Sequence, residues 1–171
     1  LAGYSIIDVE DAILKVLKPL WIDPDNPADP PPVPPQILKT LKTYQGELEK
    51  KEDAEHLIEQ VKGITPAIFT IYAGSKFQNN NQQVNETMFW GLFTVEESLR
   101  GPEWARRGSK SNTGVYEVIR RMNELLVNNS LGLNLLPMEI QSQDGIYFDN
   151  SIAIYSTLFM TEQSYIQDYV R

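Results

Sequence analysis

The sequence predicts an α/β protein of the α+β kind, and one stretch, Met88–Leu126, carries most of that prediction. Residues 87–97 alternate: Met88, Trp90, Leu92, Thr94 and Glu96 share one face, and Phe89, Gly91, Phe93 and Val95 share the other, as a strand requires. Residues 113–127 repeat at helical spacing, with Tyr116, Ile119, Met122 and Leu126 in one stripe. Between them Ser98–Asn112 forms a basic loop, which Pro102 and two glycines keep irregular.

The remaining segments supply partners for these pieces. Residues 5–18 read as a helix: Ser5 is the expected N-cap, Asp8, Glu10 and Asp11 sit near its positive end, and Ile6, Val9, Ile13, Val16 and Leu20 recur at helical spacing. Residues 23–36 hold seven of the eleven prolines, which excludes a helix or central strand and predicts an extended surface excursion. Residues 36–46 read as a short helix or strand ending at Gly46. A charged helix is expected from Lys51 or Glu52 to Lys62, with Gly63 as its stop. PAIFTIYA, residues 66–73, is apolar on both faces and reads as a central strand. Residues 74–86 read as a flexible polar connection. Thr113 or Asn112 should cap the helix that follows. After that helix come three strand candidates: Leu133–Gln143, ending at an expected Asp144-Gly145 hairpin turn, then Gly145–Phe148, then Ser151–Met160. The final TEQSYIQDYVR reads as a tail able to dock on another chain.

Composition narrows function more by exclusion than by assignment. At 171 residues the chain is expected to form a single domain, residues 1–171, with the proline-rich excursion at 23–36 and the basic loop at 98–112 as its irregular parts. There is no cysteine, so disulfides, thiolate nucleophiles and cysteine-based metal sites are excluded. The single histidine, His56, lies in the polar run KKEDAEHLIEQ and has no evident catalytic partner. DPDNPAD lacks the spacing of a calcium loop, and GSK lacks the rest of a phosphate-binding loop. No catalytic residue, cofactor or metal ligand is therefore assigned. No run of about 18 apolar residues marks a membrane span, and LAGYSIIDVEDA lacks the basic region and cleavage pattern of a signal peptide.

Charge is distributed unevenly. The chain carries a net charge of -8, yet segment 98–121 holds Arg100, Arg106, Arg107, Lys110, Arg120 and Arg121 against Glu103 and Glu117. An acidic body argues against general nucleic-acid binding. A basic patch on it suits an acidic protein surface, another copy of the same chain included, although a solvated loop would have the same composition. Trp104 and the arginines are residue types enriched at the energetic centres of interfaces.

Three runs carry a family resemblance: WGLFTVEESLRGPEWARRG, GVYEVIRRMNELLVNNSLGLNLLPMEI and IAIYSTLFMTE. Together they resemble the tail terminator proteins of Mu-like, contractile-tailed bacteriophages and related prophages. The shared pattern is a strand with a tryptophan, a loop ending in Arg-Arg-Gly, a helix opened by Gly-Xaa-Tyr, a Leu-Gly after it, and a last aromatic-rich strand. The helix at 5–18 and the strand at 66–69 fit; segment 23–62 departs from the pattern. The resemblance implies one mixed or antiparallel sheet with helices packed mainly on one face. It implies a homohexameric ring that caps the tail tube, stops tube and sheath growth, and offers a surface to the head–tail connector proteins. DNA would pass through the ring without specific binding. The location implied is the head-proximal end of the virion tail, after assembly in the host cytoplasm. Arg100, Arg106, Arg107, Tyr116 and Arg120 match the loop and helix start, and contact between subunits or with the tube is their implied role. Trp104, Lys110 and Arg121 join them as candidate interface residues. Three alternatives are a neighbouring connector or tail-completion adaptor, a small enzyme built around His56, and a monomeric binding module.

Overall fold

The computed structural model describes residues 3–27, 30, 33–46, 61–98, 102–109, 113–148 and 151–166. Its centre is a strand shared by two long neighbours. β3 (Gln83–Glu97) pairs antiparallel along its length with β2 (Ala67–Asn80) on one side and β5 (Ile152–Ile166) on the other. β1 (Thr40–Thr43) adds parallel to the first four residues of β2, and β4 (Glu139–Phe148) adds antiparallel to β5. The result is a mixed five-stranded sheet in the order β1-β2-β3-β5-β4. Three helices accompany it among the described residues: α1 (Ile6–Leu17), the six-residue α2 (Pro102–Arg107) and α3 (Val115–Leu126).

Alternation along β3 determines where the cores form. Met88, Trp90 and Leu92 join Ile68 and Phe159 beneath Val9, Ile13 and Leu17 of α1 and Val118, Met122 and Leu126 of α3. The opposite face buries Phe69, Val95, Ile152 and Ile154 against Val61, with Tyr44, Ile64, Phe93 and Tyr147 packed alongside. Each large apolar side chain fully buried this way contributes about 1.5–3 kcal/mol. Ser5 caps α1 as expected: its hydroxyl accepts from the Asp8 N–H, while the Asp8 carboxylate accepts from the Ser5 N–H. Hydrogen bonding to Ser5 holds the Asp8 carboxyl below its ordinary value.

Several sequence expectations change. Residues 74–86 do not form a loose connection: β2 runs to Asn80, β3 starts at Gln83, and only Asn81 and Gln82 turn. Asn81 takes a φ of 55°, a left-handed conformation that asparagine tolerates. Asp144-Gly145 is not a hairpin turn; it lies inside β4 beside an irregularity in the pairing with β5. A Cβ at Gly145 would sit 2.5 Å from the Phe148 ring, so a larger residue there would displace that ring. Residues 131–138 contribute buried Leu131, Leu135 and Met138 without forming a strand. Thr161–Ile166, expected as part of a tail, continue β5; residues 167–171 lie outside the described residues. Within residues 36–46, Thr40–Thr43 form strand β1. Most of the helix expected at 51–62 lies outside the described residues, and Val61 is helical and buried.

The proline-rich excursion is tied to α3 by Arg121. This side chain is 6% exposed, and its Nη1 donates to the Pro35 carbonyl at 2.6 Å. Sequence names it as a candidate interface residue; the helix turns it inward under the excursion. Arg121→Met should cost about 1.5–3 kcal/mol in urea unfolding, because it removes a charged hydrogen bond and orphans the Pro35 carbonyl. Gly114 opens α3 at φ 77°, where a Cβ would lie 2.2 Å from the Gly108 amide nitrogen. Gly114→Ala therefore adds backbone strain to a clash and should cost about 3 kcal/mol or more. Gly132→Ala, at φ 70° with open space beside it, should cost about 1–2 kcal/mol, the strain alone.

Candidate functional site

The basic loop contains a turn of helix. Pro102 occupies the first helical position of α2, Glu103 follows in its first turn, and Arg106 and Arg107 end it, an order that suits the helix dipole. Ala105 is the buried residue of α2, set against Ala153 of β5 and Val115 and Ile119 of α3. The close approach of Gly108 and Gly114 draws the end of α2 to the start of α3. That junction carries Trp104 and Arg106 on α2 and Tyr116 on the first turn of α3.

A ladder of rings links these elements. The Arg106 guanidinium lies 5.9 Å from the Phe148 ring centroid, within range of a cation–π contact. Phe148 meets Tyr155 edge-to-face at 5.2 Å, and Tyr155 meets Tyr116 in the same manner at 5.8 Å. The Tyr155 hydroxyl donates to the Tyr116 hydroxyl at 3.2 Å. Burial, and then this hydrogen bond, push the Tyr155 phenol up to about 12, so it stays neutral at any physiological pH. Trp104, Tyr116 and Phe148 remain 41%, 44% and 48% exposed. Three large aromatic side chains beside arginines thus face solvent on rigid elements, the chemistry found at the energetic centres of protein interfaces.

The cations differ in what they offer. Arg120 is held by Glu117 at 2.7 Å and by Glu124, so the three side chains together present a negative charge. Glu117 is lowered by its hydrogen bond to Arg120, and Arg120 is raised mainly by that same bond. Arg107 pairs with Glu103 at 3.3 Å. Such exposed pairs add little to stability. Arg121 is buried and serves the fold rather than the surface of the monomer. Arg100, Lys110 and His56 lie outside the described residues. Among the candidates named from sequence, the structure links Arg106 of α2 to Tyr116 of α3 through Phe148 and Tyr155, while Trp104 and Arg107 sit on α2 and Arg120 on α3. Phe148 and Tyr155 were missed. The alternation of β5 already set Tyr155 on the face of Ala153 and Phe159, but no local pattern places Phe148 under Arg106.

Among the described residues no group of three or more His, Cys, Asp and Glu side chains is arranged to hold a metal ion, and no helix is long and apolar enough to cross a membrane.

No curated protein matches the chain. A family model described as bacteriophage Mu, Gp37 matches residues 5–164, which takes in every element from α1 almost to the end of β5. The chain therefore belongs to the bacteriophage Mu Gp37 family and is a phage structural protein.

Proposed function

We propose that the protein is the tail terminator of a Mu-like, contractile-tailed particle: a homohexameric ring that caps the tail tube, halts tube and sheath growth, and presents its other face to the head–tail connector. The observation that carries this reading is the family match over residues 5–164 of a chain whose exposed aromatic–arginine surface suits protein contact. The mechanism is mechanical. One face of a ring fits the last tube ring and the other does not, so no further tube subunit adds. A contact between two different surfaces of one chain closes into a ring when its rotation closes. The net charge of -8 keeps the assembly from retaining DNA as it passes.

The test is arrest. Purified protein added to polymerising tube protein should cap the tubes and shorten them in proportion to its concentration, seen by negative-stain electron microscopy. Light scattering should give about six times the 19.5 kDa chain mass for the ring. Tubes that grow to the same length with and without the protein would reject the reading. Trp104→Ala and Arg106→Glu should each weaken ring formation or tube capping by about 30-fold, as truncation of an interface centre does. Arg107→Ala, whose side chain is paired with Glu103 in solvent, should change either by less than about fivefold.

A further inference from the structure

Among the described residues the sheet ends in two open edges, at the opposite ends of its strand order. β1 covers β2 only across Ala67–Thr70, with one further bond from the Tyr44 N–H to the Thr70 carbonyl. The outer edge of β2 from Ile71 to Asn80 pairs with nothing among the described residues. At the other side, eight of the ten residues of β4 pair inward with β5, Gln141 and Ile146 falling at irregularities, and no described strand lies beyond it. Nine of those ten residues are exposed, Ile140, Ile146 and Phe148 among them. A long exposed edge with apolar side chains and no proline or lysine to guard it is a template for pairing with another chain.

The two edges match each other. The neighbour order makes β2 and β4 run in opposite directions, so β4 set against the β2 of an identical, similarly oriented copy would pair antiparallel. Lys39, Lys42 and Lys76 line the β1–β2 side, and neither strand contains an acidic residue; β4 carries Glu139 and Asp144 and no cation. Their sides of the sheet also agree. Lys42 lies over Phe69 and Lys76 over Phe89, on the face away from α1 and α3. The register puts Glu139 opposite Met160 and Asp144 opposite Ser156, on that same face. Opposite charges sharing a face across neighbouring strands stabilise the pairing.

The offset between the edges has the size a closed ring requires. Through β5 and β3, β4 runs level with Ala67–Gly74 of β2, whereas the open part of β2 is Ile71–Asn80. A neighbour must slide by roughly five residues of ~3.4 Å each across five strands ~4.8 Å apart, which tilts the strands by about 35° from the ring axis, within the range of closed sheets. Irregularities between Tyr72 and Gly74 in β2, and in β4 after Ile140 and Gly145, supply curvature.

The geometry points to a head-to-tail β-junction between copies of this chain, in which β4 of one subunit adds to the Ile71–Asn80 edge of the next. It relies on the proposed ring for closure, but the contact itself stands independently of what the ring caps.

The chain has no cysteine, so site-directed cross-linking reads the junction directly. Ser142→Cys and Gln78→Cys place one thiol on each edge, and both positions are exposed. With a short bis-maleimide, each single variant alone should stay monomeric on a denaturing gel. Their equimolar mixture should give a dimer and nothing larger, and the doubly substituted chain should give a ladder ending at the ring. Asp144→Lys should lower dimer yield about fivefold at limiting concentration, and Lys76→Asp on the partner should restore it. Efficient cross-linking of Ser142→Cys with itself would overturn the head-to-tail arrangement. So would a mixture without dimer, whether the protein is monomeric or ring-shaped by light scattering. Rings without edge cross-links would leave the terminator reading intact; cross-linked rings that fail to arrest tubes would reject that reading and keep the junction.

Discussion

The structure depends on β3 burying both its faces. A strand with Trp90 and Leu92 on one side and Val95 on the other cannot rest against solvent, so the chain must supply two covers. It does so asymmetrically. Two helices of twelve residues cover one face, while the segment around Val61, with Tyr44 and Ile64, covers part of the other. Pairing on both edges follows from the same demand, since a buried central strand must have its N–H and C=O groups met on either side. Everything peripheral hangs on this arrangement: β1 and β4 are additions to strands that β3 has already ordered, and α2 is seated on β5 and α3.

The long strands outrun the apolar core, and a polar layer takes over above Met88. Gln163, 4% exposed, donates to the Glu86 carboxylate at 2.9 Å and to the Tyr4 carbonyl at 3.0 Å, and accepts from the Tyr4 N–H at 2.7 Å. Ser75 donates to the other Glu86 oxygen at 2.6 Å and accepts from the Tyr72 hydroxyl. A buried carboxylate is tolerable only when met by several donors. Here the donors come from β2, β5 and, through Gln163, the segment leading into α1, so the layer pins three parts of the chain together. This layer orders the upper sheet, and the outer edge of β2 rests beside it.

What could be read in the sequence follows the range of the forces involved. α1 was legible to its cap because capping is local: Ser5 and Asp8 meet across three residues. The two-sided burial of β2 and β3 was legible because alternation is local too. The extent of β2 past Ala73 was not, since FQNN becomes a strand only by lying against β3. Asp144-Gly145 has the composition of a turn, and only the ring of Phe148 shows why the glycine sits within a strand. Arg121 illustrates the same limit at the candidate site. Two adjacent arginines look alike on a helical wheel, yet Arg120 is fixed by neighbours on its own helix and Arg121 by a carbonyl 86 residues away. Trp104 and Arg106 were identifiable by residue type, and the setting of Arg106 over Phe148, with Tyr155 beyond it, required the fold.

Opposite charges on the two sheet edges also bear on which contacts the molecule avoids. Two copies meeting edge to edge through β4 would oppose Glu139 and Asp144 to themselves, and two meeting through β2 would oppose lysines. Both symmetric pairings carry like-charge repulsion, and only the unlike pairing is free of it. Discrimination of this kind needs a penalty on the wrong partner as well as a reward for the right one. The size of each charge contact is modest, so the lysines and carboxylates govern orientation and encounter more than final affinity. Affinity must come from apolar area, and the exposed Phe148 of β4, with Tyr116 reached through Tyr155, lies at that edge. The acidic side chains of β4 and the Arg106–Phe148–Tyr155–Tyr116 ladder therefore meet at one edge of the sheet, on its two opposite faces. A partner engaging that edge must offer positive charge to the strand and an apolar or acidic surface to the ladder, a pairing of demands that a generic acidic protein does not meet.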